Sequence, residues 1–187
     1  MSGDRPLRAD ARRNRERVLA VAYEVFAAEG LSVPIDEIAR RAGVGAGTVY
    51  RHFPTKEALY EAIVLDRVDR LVGRAREFAD ADPAEAFYGF FAFMTDEGAT
   101  DKGLAEALAG AGFDIEATAP GAEQSFMDAI GALLARAQAA GAVRPDLTAA
   151  DVKTLMVGCQ AMQRYRGRDL GPVLEVIRDG LRAPRGT

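Results

Sequence analysis

IDEIARRAGVGAGTVYRHF, residues 35–53, contains two short segments of helical periodicity separated by a glycine-rich turn. The first segment, Ile35 to Ala42, carries its apolar residues at the spacing of one helix face. Gly43 follows directly, and glycine readily adopts the left-handed conformation that ends a helix. A second helix is expected to begin near Ala46 and to end before Phe53. The stretch therefore predicts two short helices joined by a tight turn.

Three residues of this stretch stand at positions that are typical of a DNA-binding helix-turn-helix. Ala39 is small enough to let two helices cross closely, Gly43 tolerates the turn, and Val49 anchors the second helix on the first. If only Ala39 and Gly43 matched, an ordinary helical hairpin would be the simpler interpretation. The match continues beyond the motif, and this favours the DNA-binding interpretation.

Residues 47–59, GTVYRHFPTKEAL, closely resemble the segment that the TetR (tetracycline-repressor) family of bacterial regulators carries from its recognition helix into the next helix. The resemblance implies an all-α fold of about nine helices with an N-terminal three-helix DNA-binding head. It also implies a long fourth helix that links this head to a C-terminal helical domain for ligand binding and dimerisation. We therefore expect domains at residues 1–54 and 55–187.

The predicted recognition helix has short side chains at its start and longer polar side chains farther along. Gly45, Ala46 and Gly47 are too short for side-chain hydrogen bonds and would permit close approach of the helix to DNA. Thr48 can meet a base edge or a thymine methyl group. Arg51 could read a guanine or face solvent, and both alternatives stay open.

By the resemblance, Tyr50 and His52 correspond to DNA-contacting positions, where a hydroxyl and an imidazole suit phosphate oxygens. Lys56 would reach the same DNA strand from the start of the fourth helix. His52 has an alternative role as a buried structural residue, although Phe53 suits the core better. Arg40 or Arg41, near the end of the first helix of the motif, is a further candidate for sequence discrimination, together with DNA shape.

Charge is unevenly distributed along the chain. Residues 1–60 hold ten Lys and Arg against eight Asp and Glu, a net charge of +2, and residues 61–187 hold fourteen against twenty, a net charge of -6. The formal net charge of the whole chain is -4, which by itself is unusual for a nucleic-acid-binding protein. The division fits a small DNA-binding head on a larger acidic body that has another task.

Helical periodicity continues through the rest of the chain, and no run alternates with period two for long enough to form a strand. Residues 1–11 are polar and contain Pro6, so we expect either an arm that reaches DNA or a solvated tail. Gly98 and the polar residues after it predict a break between two helices. The expected helices are Asp10–Glu29, Lys56–Ala79, Pro83–Glu97, Gly103–Ala111, Ala122–Ala140, Ala149–Arg164 and Pro172–Leu181.

Two sets of apolar side chains in the body carry separate expectations. A ligand cavity between bundle helices would be lined by aromatic, methionine and isoleucine side chains. The alternative is that these side chains simply form the hydrophobic core. The candidates are Phe87, Phe90, Phe91, Met94, Phe113, Phe126, Met127 and Ile130. A homodimer is expected because one head reads only a few base pairs. By the resemblance its interface lies on the last two helices, with burial inside the monomer as the alternative, and its candidates are Leu155, Met156, Cys159, Val173, Leu174 and Ile177.

Composition argues against several other classes of protein. Cys159 is the single cysteine and His52 the single histidine, so no internal disulfide and no Cys/His zinc cluster can form. Cys159 is expected to be a small buried residue, with a redox-sensing thiol as the alternative. Because the chain lacks a catalytic triad, a Glu-x-x-His pair and a phosphate-binding glycine loop, we expect no enzyme activity, metal or cofactor. The longest strongly apolar run, Ala86–Met94, is too short to cross a bilayer, so a cytoplasmic location is expected.

The sequence therefore predicts a regulator that binds a double-stranded DNA operator as a homodimer and is released by an apolar or aromatic small molecule. The alternative is a constitutive DNA-binding regulator, or an activator, that has no small-molecule effector. Repression and activation differ in where the operator lies relative to the promoter, which the amino-acid sequence does not encode.

Overall fold

The computed structural model describes residues 4–110, 112, 119–166 and 171–184. Within these residues the chain contains α-helices and no strand, as predicted, apart from an isolated antiparallel bridge between Val143 and Arg182. The described residues form eight helices: α1 (Asp4–Glu29), α2 (Ile35–Ala42), α3 (Ala46–His52), α4 (Lys56–Phe78), α5 (Pro83–Gly110), α6 (Ala122–Ala139), α7 (Ala149–Arg166) and α8 (Gly171–Leu181).

The chain packs as two compact units. The first comprises Met1–Arg67 and Thr100–Pro120, and the second comprises Val68–Ala99 and Gly121–Thr187. Helices α4 and α5 each contribute residues to both units. The sequence predicts a domain boundary after residue 54, at the junction between α3 and α4, whereas the two compact units divide within α4 and α5. The predicted domains stay a prediction.

The first unit is built around the apolar face of α1. Val18, Leu19 and Ala22 are buried, and Phe26 is completely enclosed at 0% exposed. The Phe26 ring packs edge-on against the Tyr60 ring of α4, with 5.2 Å between the ring centroids. Helix α1 contacts both α2 and α3, so it supports the helix-turn-helix from behind.

The turn between α2 and α3 has the glycine geometry that the sequence predicts. Gly43 adopts φ 63° and ψ 33°, and its N–H donates to the Arg40 carbonyl oxygen at 3.2 Å. The Val44 N–H donates to the Ala39 carbonyl oxygen at 3.0 Å, which closes the end of α2. Ala39 and Val49 are each 1% exposed. The expected roles of a small residue, a turn glycine and an apolar anchor are therefore confirmed.

The second unit has an aromatic core at the end of α4. The Phe78 ring centroid lies 6.1 Å from that of Phe90 and 6.4 Å from that of Phe93. The Arg74 guanidinium carbon lies 5.0 Å from the centroids of both the Phe78 and the Phe93 rings. A methyl group added at Gly89 would lie 2.7 Å from Phe78 Cε1. The ring therefore occupies the space that a side chain at position 89 would need.

Hydrogen bonds fix helix ends within the second unit. Arg136 of α6 donates to the carbonyl oxygens of Ala79 at 2.5 Å and Ala81 at 3.4 Å, directly after α4 ends. At the start of α7, the Asp151 carboxylate accepts from the Thr148 N–H at 2.8 Å, and Thr148 Oγ1 accepts from the Asp151 N–H at 3.3 Å. This reciprocal pair satisfies backbone donors that a helix start otherwise leaves without partners.

Two predictions about helix bounds were wrong. Helix α1 begins at Asp4 and not at Asp10, so residues 4–9 belong to the helix. Pro6 lies in the first turn, where the N–H that proline lacks has no helical acceptor. Helix α5 continues through Gly98 to Gly110 and joins the two helices predicted on either side. An internal glycine costs a helix only about 1 kcal/mol, which the packing of a 28-residue helix offsets.

Candidate nucleic-acid interface

Helix α3 buries one side chain and exposes most of its polar ones. Val49, at 1% exposed, is the buried residue of this helix and fixes it on the first unit. Tyr50 is 44% exposed, Arg51 and His52 are exposed, and Thr48 is half-buried. The four polar side chains that the sequence assigns to DNA contact on this helix are thus accessible to a partner.

The alternative of a buried structural role for His52 was wrong. His52 is exposed, whereas Phe53 is 2% exposed and takes the core position directly after α3. The Arg15 guanidinium carbon of α1 lies 5.7 Å from the Phe53 ring centroid, a cation–π contact that sequence reasoning missed. Phe53 therefore ties the end of α3 to α1 and leaves the His52 imidazole at the surface.

The fold does not require glycine at the start of α3. Gly45 precedes the helix with φ -62° and ψ 134°, an ordinary extended conformation. A Cβ atom added at Gly45 or Gly47 would meet no atom within 4 Å, apart from chain neighbours and the helix backbone. Gly43, with its positive φ, differs in this respect. Glycine at positions 45 and 47 is therefore not needed for packing, and it leaves the surface at the start of α3 without side chains at these two positions.

Lys56 has a structural partner as well as a position near the expected DNA surface. Its Nζ donates to the Leu31 carbonyl oxygen at 2.7 Å, and the Tyr60 hydroxyl donates to the same oxygen at 3.3 Å. The start of α4 is capped by Thr55 Oγ1, which accepts from the Ala58 N–H at 3.1 Å. An ammonium group has three N–H donors, so Lys56 can hold this loop and still contact a phosphate.

Arg41 belongs to an ion-pair network that joins α1 to α2. Arg41 Nε donates to Glu37 Oε1 at 2.7 Å, and the other end of its guanidinium binds Glu29. Arg40 donates to the two Glu37 oxygens at 2.7 and 2.6 Å. Sequence reasoning missed both glutamates, although Glu37 stands three and four residues before the arginines, a spacing that pairs charges on a helix.

The network changes the proton affinity of its members. Hydrogen bonds from Arg40 and Arg41 lower the pKa of Glu37 from an ordinary 4.5 to about 2. Hydrogen bonding to Arg41 also lowers the pKa of Glu29, and its two carboxylate partners raise the pKa of Arg41. The side chains of Arg40 and Arg41 stay 71% and 34% exposed, so salt screens these pairs and a competing phosphate can reach them.

The side chains expected to line a ligand cavity lie mostly in the core of the second unit. Phe87, Phe90, Phe91, Met94 and Ile130 are all buried in one cluster. Phe126 and Met127 are half-buried, and Phe126 packs against that cluster. Phe113 lies outside the described residues. In this conformation the five buried side chains therefore form part of the hydrophobic core, which was the alternative to a ligand cavity.

The side chains expected at a dimer interface divide into two groups. Met156 and Cys159, at 3% and 0% exposed, belong to the core of the second unit, so neither offers a surface to a partner. Burial also raises the pKa of the Cys159 thiol, which disfavours the thiolate that a redox sensor needs. The remaining candidates, Leu155, Val173, Leu174 and Ile177, are half-buried, and all of them except Val173 pack against that core.

Metal-binding clusters and membrane spans are both absent from the described part of the chain. No group of three His, Cys, Asp or Glu side chains converges there in a way that would hold a metal ion. None of the described helices is long and apolar enough to span a membrane.

Two family profiles match the chain. The profile described as "Bacterial regulatory proteins, tetR family" matches residues 18–63, which contain α2 and α3. The profile described as "Transcriptional regulator SbtR-like, C-terminal domain" matches residues 82–183, which contain α5 to α8.

Solved structures and curated sequences agree with these matches. The chain is 55% identical to a TetR transcription regulatory protein from Mycobacterium vanbaalenii, with a TM-score of 0.81 over 95% of this chain and 100% of that one. A TetR transcriptional regulator from Streptomyces coelicolor is 35% identical, with a TM-score of 0.75 over 91% and 99% of the two chains. An HTH-type transcriptional regulator from Staphylococcus aureus is 32% identical over 75 residues, which is 40% of each chain. The chain thus matches less than half the length of these curated relatives.

The ion-pair network predicts how Glu37 titrates. Because its pKa is lowered, the stabilisation from its ion pairs is complete above the ordinary value of 4.5 and is lost as pH falls through about 2. A carboxyl ¹³C NMR titration should give Glu37 a midpoint near 2 in the wild-type protein. In the double variant Arg40→Gln, Arg41→Gln the midpoint should return towards 4.5, and in the control Arg76→Gln it should not move. An ordinary midpoint in the wild-type protein would contradict the network.

Proposed function

Because the chain belongs to the TetR family of bacterial transcriptional regulators, we propose that it binds a palindromic DNA operator as a homodimer and represses transcription until a small molecule releases it. The observation that carries DNA binding is the surface of α3, where polar side chains are accessible beside two glycines that the fold does not require. Action on chromosomal DNA implies a cytoplasmic location.

In this proposal α3 enters the major groove with its N-terminal end. Gly45 and Gly47 allow the helix to approach the DNA closely because no side chain stands between them. Thr48 meets a base edge or a thymine methyl group. Tyr50 and His52 bind phosphate oxygens, which position the helix without reading sequence. Ala46 is small enough to keep the approach open, and Arg51 supplies a longer donor for a base or a phosphate.

Arg40 and Arg41 would approach the DNA already paired with carboxylates. A phosphate that replaces Glu37 as their partner exchanges one charge-assisted hydrogen bond for another. The exchange costs little because exposed ion pairs contribute little to stability. Glu29 can keep its hold on Arg41 from α1, so this side chain stays oriented while a second acceptor binds. Lys56 adds a further phosphate contact from the start of α4.

A homodimer would supply the two heads that a palindromic operator needs. Among the side chains of α7 and α8 that the structure describes, the exposed large apolar ones are Val157 and Val176, at 44% and 72% exposed. They provide the apolar surface that Met156 and Cys159 lack. Leu155, Val173, Leu174 and Ile177 would border this surface, in keeping with an interface on the last two helices.

An apolar or aromatic effector would bind in the second unit, where the aromatic cluster offers matching chemistry. Phe126 and Met127 are the half-buried candidates, and Phe126 packs against the cluster that contains Phe87, Phe90 and Phe91. The ligand must bind the released conformation more tightly than the DNA-bound one, since equal affinities would shift no population. A constitutive regulator or an activator differs by having no compound that weakens its binding to the operator.

Selection of bound duplexes from a random DNA pool tests the central proposal. We expect enrichment of an inverted repeat whose half-sites are separated by whole turns of the duplex. A library of apolar and aromatic compounds is then screened for release of this DNA. A pool without any enriched palindrome would contradict the proposal, and a palindrome that no compound releases would favour the constitutive alternative.

The surface role of Gly47 can be separated from its effect on folding. Gly47→Ala should stabilise α3 by about 0.5–1 kcal/mol, since alanine favours helix and meets no atom inside the protein. The same methyl group should clash with DNA and lower operator affinity by about tenfold. Gly73→Ala, at another open helical glycine, should bring comparable stability with unchanged affinity. Denaturant unfolding and fluorescence anisotropy measure both effects. Equal operator affinity in both variants would contradict the proposal that Gly47 allows α3 to approach DNA closely.

The proposed dimer surface can be tested at its most exposed apolar residue. Val176→Glu places a charge in the interface and should turn the dimer into a monomer in sedimentation velocity. The helical circular dichroism spectrum should stay unchanged because position 176 is 72% exposed in the single chain. Glu175→Gln, an exposed neighbour on α8, serves as the control and should remain dimeric. A dimer that survives Val176→Glu would locate the interface elsewhere.

A further inference from the structure

A surface pocket of about 340 Å³ lies in the second unit, between the start of α5, the loop after α6 and the end of α8. Small residues form much of its wall, namely Ala84, Ala142 and Ala183, together with Tyr88. A volume in this range accommodates a small organic molecule. The pocket shares no residue with the side chains expected to line an effector cavity.

Two arginines line the same pocket, Arg178 in α8 and Arg182 directly after this helix ends. The Arg178 guanidinium carbon lies 5.1 Å from the Tyr88 ring centroid, so the aromatic ring holds this cation. Arg182 pairs with Asp179 at 3.3 Å. Among the residues that the structure describes, Arg178 has no carboxylate partner. Stacking on a ring leaves the in-plane N–H donors of a guanidinium available to a ligand.

The walls of the pocket are fixed by hydrogen bonds. The Tyr88 hydroxyl donates to the Ala142 carbonyl oxygen at 3.3 Å, which joins α5 to the loop after α6. Burial raises the pKa of Tyr88, so its hydroxyl stays protonated and remains a donor. The Arg144 N–H donates to the Leu181 carbonyl oxygen at 3.0 Å, which joins the same loop to the end of α8. The pocket is therefore formed before a ligand arrives.

We propose that this pocket binds a small organic carboxylate, with the carboxylate on Arg178 and Arg182 and the apolar body against Tyr88 and the alanines. Guanidinium groups match carboxylates through two parallel hydrogen bonds. Glu85 also lines the pocket, and Arg182 already pairs with Asp179, so Arg178 carries the positive charge that has no carboxylate partner among the described residues, which favours a singly charged anion. Arg178 lies about 200° around α8 from Val176, the most exposed apolar residue of the proposed dimer surface. The site does not depend on DNA binding.

NMR titration of the full chain with benzoate tests the site directly. We expect saturable shifts of amide signals from residues 84–88, 141–142 and 178–183, which surround the pocket. Benzamide has the same size without the charge and should bind about tenfold more weakly or not at all. Inorganic phosphate has the charge without the apolar body and should also bind more weakly. Equal binding of benzamide or phosphate, or no saturable shift with benzoate up to about 10 mM, would overturn the proposal.

Substitutions assign the contacts. Arg178→Gln and Arg182→Gln should each weaken benzoate binding by about tenfold, and Glu85→Gln should strengthen it. Ala84→Leu keeps both arginines and fills the pocket, so it should weaken binding as well. Arg76→Gln removes an exposed arginine of α4 outside the pocket and should leave the affinity unchanged. Retained affinity in both arginine variants of the pocket would overturn the assignment, whether or not the chain binds DNA.

Discussion

A helix of seven residues has little stability of its own in water, so α3 depends on tertiary contacts for its existence. Val49 is its buried side chain, and Phe53 continues the burial directly after the helix ends. The left-handed turn at Gly43 sets the direction in which the chain leaves α2. Because these few residues carry the packing, the polar side chains of α3 need no role in the core. The surface that we propose contacts DNA thus depends on two apolar side chains, Val49 and Phe53, and on the backbone conformation of Gly43.

Much of this head was predictable from local patterns. Ala39, Gly43 and Val49 are each constrained by a different physical requirement, so their joint occurrence within eleven residues of sequence is informative by itself. Helices α4, α6, α7 and α8 also begin and end within two residues of their predicted bounds, because proline, glycine and capping residues mark their ends. The burial of Phe53 in preference to His52 was also predictable, since a phenylalanine gains more from burial than a histidine does.

The remaining features depend on long-range packing, which local patterns do not encode. Gly98 and the polar residues after it predict a helix break, yet α5 is continuous through Gly98. Met156 and Cys159 share a helical stripe with candidates for an interface, and periodicity alone cannot tell a stripe that faces the monomer core from one that faces a partner. The ion pair between Glu29 and Arg41 joins residues that are twelve apart in the sequence, so no helical spacing predicts it. The arginine pocket likewise assembles from three separate parts of the chain.

The contact between Gly89 and Phe78 bears on how this sequence can evolve. A side chain at 89 would collide with a ring that Phe90, Phe93 and Arg74 already surround, so the ring has little room to move away. A lineage that first replaces Gly89 would pass through an overpacked intermediate. One that first shortens Phe78 opens the space and can then accept alanine at 89. The order of the two substitutions therefore matters, and homologues should carry matched pairs at these positions.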